Sequence, residues 1–177
     1  MKLFPSLLAV SLLLVASGCD QQPPAPPADS RQPAIEAAVT WYDALLADGY
    51  RSLNMSALEQ VATPEVASKA YYHMAAIGEA GVKMDSQLGT ITFEPLKEIA
   101  PNTVTIPAEE NWQYIYWEIK TGKRLFENSV LYRLIYTLEH TNGKWLVNNI
   151  AVQSTKESKD SSFIFQRPPD QPPGGGK

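Results

Sequence analysis

Residues 130–152 read VLYRLIYTLEHTNGKWLVNNIAV and give the clearest indication of the fold in this chain. From Val130 to Leu138 every second residue is apolar or aromatic, which is the period of a half-buried β-strand. The dipeptide Asn142-Gly143 then gives the strongest short signal for a hairpin turn. Beyond the turn lie the apolar residues of a second strand, Trp145, Leu146, Val147, Ile150 and Val152. The sequence therefore predicts two antiparallel strands joined by a tight turn.

Two further strands are predicted upstream of this hairpin. One of them is a long strand of alternating residues that ends before a turn at Thr121-Gly122-Lys123. Pro107 lies within this strand and favours an edge position or a bulge. The other spans residues 88–96, and Pro95 weakens it near its end. The sheet should thus contain about four strands. The alternating residues of the long strand are Val104, Ile106, Ala108, Glu110, Trp112, Tyr114 and Tyr116.

The first half of the domain has helical periodicity and predicts three helices. Ser56 and Glu59 form a candidate capping box for a short second helix. Thr63 and Pro64 favour the start of a third helix. Helices followed by antiparallel strands indicate an α+β domain, with three N-terminal helices packed on one face of a curved sheet. The apolar stripe of the first helix comprises Ile35, Ala38, Val39, Tyr42, Leu45 and Leu46, and that of the third comprises Val66, Ala70, Met74, Ile77 and Gly81.

The N-terminus predicts an export signal. Lys2 precedes an apolar run from Leu7 to Ala16, which is about half of the roughly 20 residues that a membrane-spanning helix needs. Residues 1–18 are therefore predicted to be a secretory signal peptide. The alternative, a buried core helix, is disfavoured because a proline-rich segment follows at once.

The segment Ala16-Ser17-Gly18-Cys19 resembles the lipobox of bacterial lipoproteins. The resemblance implies cleavage before Cys19, a diacylglycerol on its thiol and usually a third acyl chain, so a membrane is the first expected partner. Two or more chains anchor a protein stably. The alternative is a conventional signal that leaves a free thiol. Asp20 resembles the residue that retains lipoproteins in the inner membrane of enteric-type bacteria, which favours the inner membrane, facing the periplasm, over the outer membrane.

The composition of the mature chain indicates a domain between two proline-rich segments, and its net charge argues against nucleic acid as a partner. Cleavage would leave 14 basic and 19 acidic residues, a net charge of −5, which argues against nucleic acid binding. We expect a lipidated cysteine and proline-rich linker at 19–33, one domain at 34–165 and a disordered tail at 166–177. Because Cys19 is the only cysteine, the domain has no intramolecular disulfide.

The order of elements resembles the cone-shaped fold of the nuclear transport factor 2-like superfamily. The hairpin residues from Tyr132 to Val147 look like the final hairpin of such domains. Trp41-Tyr42 on the first helix resembles the start of the intermembrane-space type of domain in plastid-division proteins. The resemblance implies a cone that binds a protein partner or a small molecule, or forms a homodimer. A few members are enzymes, such as ketosteroid isomerases and scytalone dehydratase.

Candidate site residues lie on both halves of the domain. Tyr42, Asp43 and His73 are the candidates for acid–base chemistry, because an Asp–His pair within hydrogen-bond reach can transfer protons. The alternatives are a solvated Asp43 at the flank of its helix and a His73 at the edge of the core.

The densest aromatic cluster comprises Trp112, Tyr114, Tyr116 and Trp117. Alternation places the first three on one face of the strand and Trp117 on the other. These residues are candidates for a ligand pocket or an interface, and the alternative is ordinary packing within the sheet.

No metal site and no cofactor are predicted. His73 and His140 are far apart in sequence, and neither has a ligand-type residue at a useful spacing. We therefore expect a membrane-anchored envelope protein whose domain binds another envelope protein or a small apolar ligand. An enzyme that uses the cone as its active site and a homodimeric assembly factor are the alternatives.

Overall fold

The computed structural model describes residues 29–157. The predicted signal peptide, Cys19, most of the predicted linker and the predicted tail lie outside these residues. Within the described part, helical segments come first and an antiparallel sheet follows, as the sequence predicts.

Two α-helices form, rather than the three that were predicted. Helix α1 spans Gln32–Ser52, and helix α2 spans Pro64–Glu79. The predicted second helix is a five-residue 3₁₀ helix, η1, at Ser56–Gln60. Ser56 does not cap it; instead, its backbone N–H donates to Asn54 Oδ1 at 3.0 Å. The segment is too short for a stable α-helix, since one turn fixes several residues for a single hydrogen bond.

The sheet has five strands, not about four. The first strand begins at Val82, well before the predicted start at Leu88, because α2 ends at Glu79 and Gly81 turns the chain with a φ of 74°. A short strand after Pro95 was not predicted. The strands are β1 Val82–Phe93, β2 Lys97–Ala100, β3 Thr103–Glu118, β4 Arg124–Thr141 and β5 Lys144–Glu157.

The strands are ordered β1-β3-β4-β5, and β2 pairs with β3 beyond the end of β1. Pro107 consequently lies in an interior strand, not at an edge. Its carbonyl accepts a hydrogen bond from the Glu94 N–H at 3.0 Å. A residue's N–H and C=O point to the same side of a strand, so the missing N–H of Pro107 faces the break between β1 and β2, where no ladder bond is lost.

The core lies between the helices and the inner face of the sheet. Helix α1 packs against β1 and also against β5, the two outer strands, so the sheet curves around the helix. Even-numbered residues of β3 from Val104 to Trp112 are buried, as the predicted alternation requires. Most of the remaining core is aliphatic, but Asp43 and Glu110 are buried with it.

Neither helix of residues 29–157 combines the length and apolar character needed to cross a membrane.

Candidate functional site

A cavity of about 270 Å³ opens between the helices and the inner face of the sheet. Its walls come from α1, α2 and the strands β1, β3, β4 and β5. His73 and Val152 are exposed residues of its lining, so they mark its mouth. Six of the eight tyrosines of the chain line it, namely Tyr42, Tyr50, Tyr114, Tyr116, Tyr132 and Tyr136.

Two buried carboxyl groups meet one hydroxyl at the inner wall of this cavity. Asp43 and Glu110 are each 1% exposed, and Tyr136 is 2% exposed. The Tyr136 hydroxyl lies 2.6 Å from Glu110 Oε1 and 3.1 Å from Asp43 Oδ1. Trp112 Nε1–H donates to Glu110 Oε2 at 2.6 Å. We call Asp43, Glu110 and Tyr136 the carboxyl cluster.

The hydrogen bonds indicate which of the two carboxyl groups in this cluster is protonated. A tyrosine hydroxyl carries one proton, so Tyr136 can donate to only one of the two carboxyls. Glu110 accepts two short bonds, from Tyr136 and Trp112, which favour its charged form. Asp43 has only the longer contact with the Tyr136 hydroxyl. Asp43 is therefore the protonated carboxyl, and its O–H donates a hydrogen bond to the Tyr136 oxygen.

The electrostatics agree with this assignment. Burial and, secondly, the neighbouring Glu110 carboxyl raise the pKa of Asp43 from 3.8 to about 8, although the contact with Tyr136 acts in the opposite direction. Burial also raises the pKa of Glu110, against the hydrogen bonds from Trp112 and Tyr136. Asp43 thus keeps its proton at neutral pH, and the negative charge of the cluster lies on Glu110, whose charged form the two short hydrogen bonds favour.

One oxygen of the cluster lacks a partner. Asp43 Oδ2 is buried and has no hydrogen-bond partner, and Asp43 lines the cavity. A buried acceptor without a partner costs about 1–3 kcal/mol. None of the described residues that line the cavity is a lysine or an arginine. The carboxyl cluster therefore presents an acceptor and a negative charge to the cavity with no lysine or arginine among the described lining residues to balance them.

The predicted acid–base candidates share the cavity but do not bond to one another. His73 Nδ1 lies 2.5 Å from the Tyr50 hydroxyl, whereas Asp43 contacts Tyr136. Tyr42 is buried beside Asp43, and its ring packs edge-on against Tyr136 at a centroid distance of 6.4 Å. Burial raises the pKa of Tyr42 above its ordinary value. The solvated position considered for Asp43 does not apply.

The aromatic candidates divide as alternation predicts. Trp112, Tyr114 and Tyr116 line the cavity, and Trp117 does not. Trp112 and Tyr114 stack with their ring planes 11° apart, and the Tyr132 ring packs edge-on against Tyr114. Trp117 instead lines a separate depression with Arg51 and Lys83.

Sequence reasoning missed Glu110 and Tyr136 as site residues. Both lie in the predicted strand alternations, Glu110 in phase with Ala108 and Trp112, so both were expected on the inner face. A glutamate in phase with core residues is the signal that could have identified the cluster, because a buried carboxylate needs partners.

No group of three or more histidine, cysteine, aspartate or glutamate side chains within residues 29–157 is arranged to hold a metal ion.

Comparison with known proteins gives structural similarities alone. No protein-family model matches the chain, and no curated protein matches it. The intermembrane-space region of the chloroplast protein ARC6 has a TM-score of 0.61 and 13% identity, over 72% of this chain and 98% of that one. A periplasmic fragment of TraM has a TM-score of 0.50 and 11% identity, over 68% of this chain and 96% of that one.

These two similarities concern the fold. The resemblance to the intermembrane-space type of domain is confirmed at that level, since the match to the ARC6 region spans nearly all of that region. What the two structures share with this chain is an architecture of helices followed by an antiparallel sheet. Function has to be argued from the site, because one fold serves many functions.

Proposed function

We propose that the domain is the ligand-binding module of a lipid-anchored envelope protein, and that its cavity receives a small, largely apolar molecule. The observation that carries this proposal is a cavity of about 270 Å³ lined by six tyrosines and Trp112, with the carboxyl cluster at its wall. Apolar cavities with a few converging polar groups are the usual form of small-molecule sites. The volume lies just below the range of about 300–1,000 Å³ for drug-sized ligands, which favours a smaller one.

The outer face of the sheet supports a homodimer or a protein partner less well. It carries Glu109, paired with Arg133 at 2.9 Å, and Asn111 and Gln113 beside them. The exposed large apolar residues of the sheet region are scattered over different strands and strand ends, and single exposed residues of this kind are normal on a monomer. They are Ile99, Ile119, Leu125 and Val152.

We place the module in the bacterial envelope, anchored through Cys19 and a linker at 19–33, with the inner membrane favoured by Asp20. The related folds come from a periplasmic fragment and an intermembrane-space region, which supports a compartment of this kind. Replacing Cys19 by alanine should move the protein from the membrane fraction to the soluble periplasm or leave it uncleaved. A Cys19→Ala variant that is still processed and membrane-bound would contradict the anchor.

An acid–base enzyme of the isomerase or dehydratase type is the second candidate. The buried proton that Asp43 shares with Tyr136 favours it, because a carboxyl with a raised pKa can act as a general acid. His73 is bonded to Tyr50 instead and would have to change partner to take part. Recovery of the bound molecule unchanged after prolonged incubation with the protein would argue against this candidate.

Occlusion of the cavity mouth tests the binding function. Val152 lines the cavity and is 56% exposed, so Val152→Trp should narrow the mouth with little effect on the core. Ile99→Trp is the matched control, since Ile99 is 60% exposed on β2 and does not line the cavity. Native mass spectrometry of the full chain isolated from envelopes should find a bound small molecule in the parent and in Ile99→Trp, and a reduced share in Val152→Trp.

Equal occupancy in both tryptophan variants would place the ligand elsewhere. Absence of any bound molecule, together with an envelope protein captured by crosslinking, would replace the proposal with a scaffolding function.

A further inference from the structure

The charge of the cavity excludes one class of ligand. The carboxyl cluster carries a negative charge on Glu110 in a buried part of the site, and within residues 29–157 no lysine or arginine lines the cavity. An anionic ligand would bring a second negative charge close to Glu110, and repulsion between like charges grows as water is excluded. Carboxylates, phosphates and sulfates therefore do not fit this site.

The unpartnered oxygen selects for a hydrogen-bond donor. Asp43 Oδ2 is an acceptor without a partner, whereas both oxygens of Glu110 already accept bonds. A purely apolar ligand would leave Asp43 Oδ2 unsatisfied. A ligand N–H group could supply the missing bond, and a positively charged one would make it stronger than a neutral donor.

The aromatic walls favour the same charge. The faces of tyrosine and tryptophan rings carry a negative electrostatic potential and attract cations placed within about 6 Å of the ring centre. Trp112 and Tyr114 present stacked rings at a centroid distance of 6.0 Å, and Tyr132 packs edge-on against Tyr114. Glu110 accepts from Trp112 Nε1, so the charged carboxylate adjoins this aromatic wall.

We infer that the ligand is a small organic amine bound as its ammonium form, with an ammonium N–H donating to Asp43 Oδ2 and an apolar body against the aromatic wall. This inference rests on the proposed binding function and adds the chemical class of the ligand. A primary or secondary amine satisfies it. A quaternary ammonium ion does not, because it has no N–H to donate.

Three probes of similar size and different charge test the inference. Isothermal titration calorimetry would be run on the purified full chain at pH 7.5 with 2-phenylethylamine, 2-phenylethanol and 3-phenylpropanoate. The amine should bind at least about tenfold more tightly than the alcohol, because a buried charge pair is lost in the alcohol. The carboxylate should bind more weakly than either.

Two variants connect this preference to the carboxyl cluster. Asp43→Leu removes the acceptor Oδ2 and should weaken binding of the amine by at least about tenfold and that of the alcohol less, because a charged donor makes the stronger hydrogen bond. Glu110→Gln removes the negative charge of the cluster and should weaken the amine by at least about tenfold while leaving the alcohol nearly unchanged, which keeps the test open if Asp43→Leu does not fold. Asp48→Asn, on the exposed face of α1, is the matched control and should bind all three probes as the parent does.

The failures of the two proposals are distinguishable. If the alcohol or the carboxylate binds as well as the amine, or if both cluster variants keep the preference for the amine, the amine is the wrong class while the binding function stands. If no probe binds, the chemistry of the molecule found by native mass spectrometry decides whether the ligand is an amine. A basic nitrogen in it supports the inference, its absence overturns the inference, and no bound molecule at all overturns both proposals.

Discussion

Replacing Asp43 by asparagine should stabilise the folded chain, and the gain should grow with pH between about 4 and 8. The reason is the proton that Asp43 holds in the fold. Its pKa is about 8 in the folded chain and 3.8 at an ordinary exposed site, which represents the unfolded chain. Below pH 3.8 both states are protonated, and the group has no effect on stability. Between the two pKa values the unfolded chain has released the proton and the folded chain has not, so stability falls as pH rises.

The size of the effect follows from one proton. A single retained proton lowers the free energy of unfolding by up to about 1.4 kcal/mol for each pH unit in this window. Between pH 4.5 and 7.5 the loss is therefore at most about 4 kcal/mol, a large share of the roughly 5–15 kcal/mol that stabilises a typical domain. Asparagine cannot ionise, and Glu110 is present in both proteins, so we expect the Asp43→Asn variant to gain about 2–4 kcal/mol over the parent across that range.

Urea denaturation followed by tryptophan fluorescence at pH 4.5, 5.5, 6.5 and 7.5 measures this difference. Asp48→Asn is the control, because Asp48 lies on the same helix, is exposed and pairs only loosely with Arg51 at 3.8 Å. The titratable groups around Asp43 are unchanged in both variants; they are Tyr42 and Tyr50 on α1, His73 on α2, Glu110 and Tyr114 on β3, and Tyr132 and Tyr136 on β4. Parallel stability profiles for the parent and Asp43→Asn would refute a protonated Asp43.

Two further substitutions, each with a control, test a hydrogen bond at the cavity wall and the packing near the end of α1. Tyr136→Phe removes the hydroxyl between the two carboxyls and leaves Glu110 Oε1 without that donor, so urea denaturation at pH 7 should show a loss of about 1–3 kcal/mol, against no loss for the exposed Tyr71→Phe. Gly49→Ala would place a methyl group against Met55 Sδ and 3.2 Å from Asn54 O, and should cost about 1–3 kcal/mol. In Gly78→Ala the methyl group meets only Leu53, at 3.9 Å, and a helical alanine should add about 0.5–1 kcal/mol; an equal response of both glycine variants in thermal unfolding would contradict the predicted overlap at Gly49.

The strands could be predicted from the sequence because each has its own local period. Alternation assigned the even-numbered residues of β3 to the inner face, and Asn142 and Gly143 adopt the positive φ angles of 50° and 77° that the hairpin turn requires. The helical half was less predictable. Ser56 and Glu59 have the spacing of a capping box, but the helical segment ends after five residues. The loop that follows pairs with β5, because Thr63 N–H donates to the Val147 carbonyl and Val147 N–H donates to the Val61 carbonyl. Such pairing joins distant parts of the chain, and no local pattern specifies it.

Local sequence patterns were enough to predict the order of helices and strands, the inner face of β3 and the position of the final hairpin, and residues 16–19 resemble a lipobox. The site, by contrast, depends on contacts between distant parts of the chain. In the sequence Asp43 lies at the flank of its helix stripe and Glu110 lies within a strand alternation. Tyr136, which is 93 residues from Asp43 and 26 from Glu110, brings the two carboxyl groups together. Local periodicity fixes which face a residue occupies, whereas the proton that Asp43 keeps depends on burial and on Glu110, and both arise only when the sheet closes over α1.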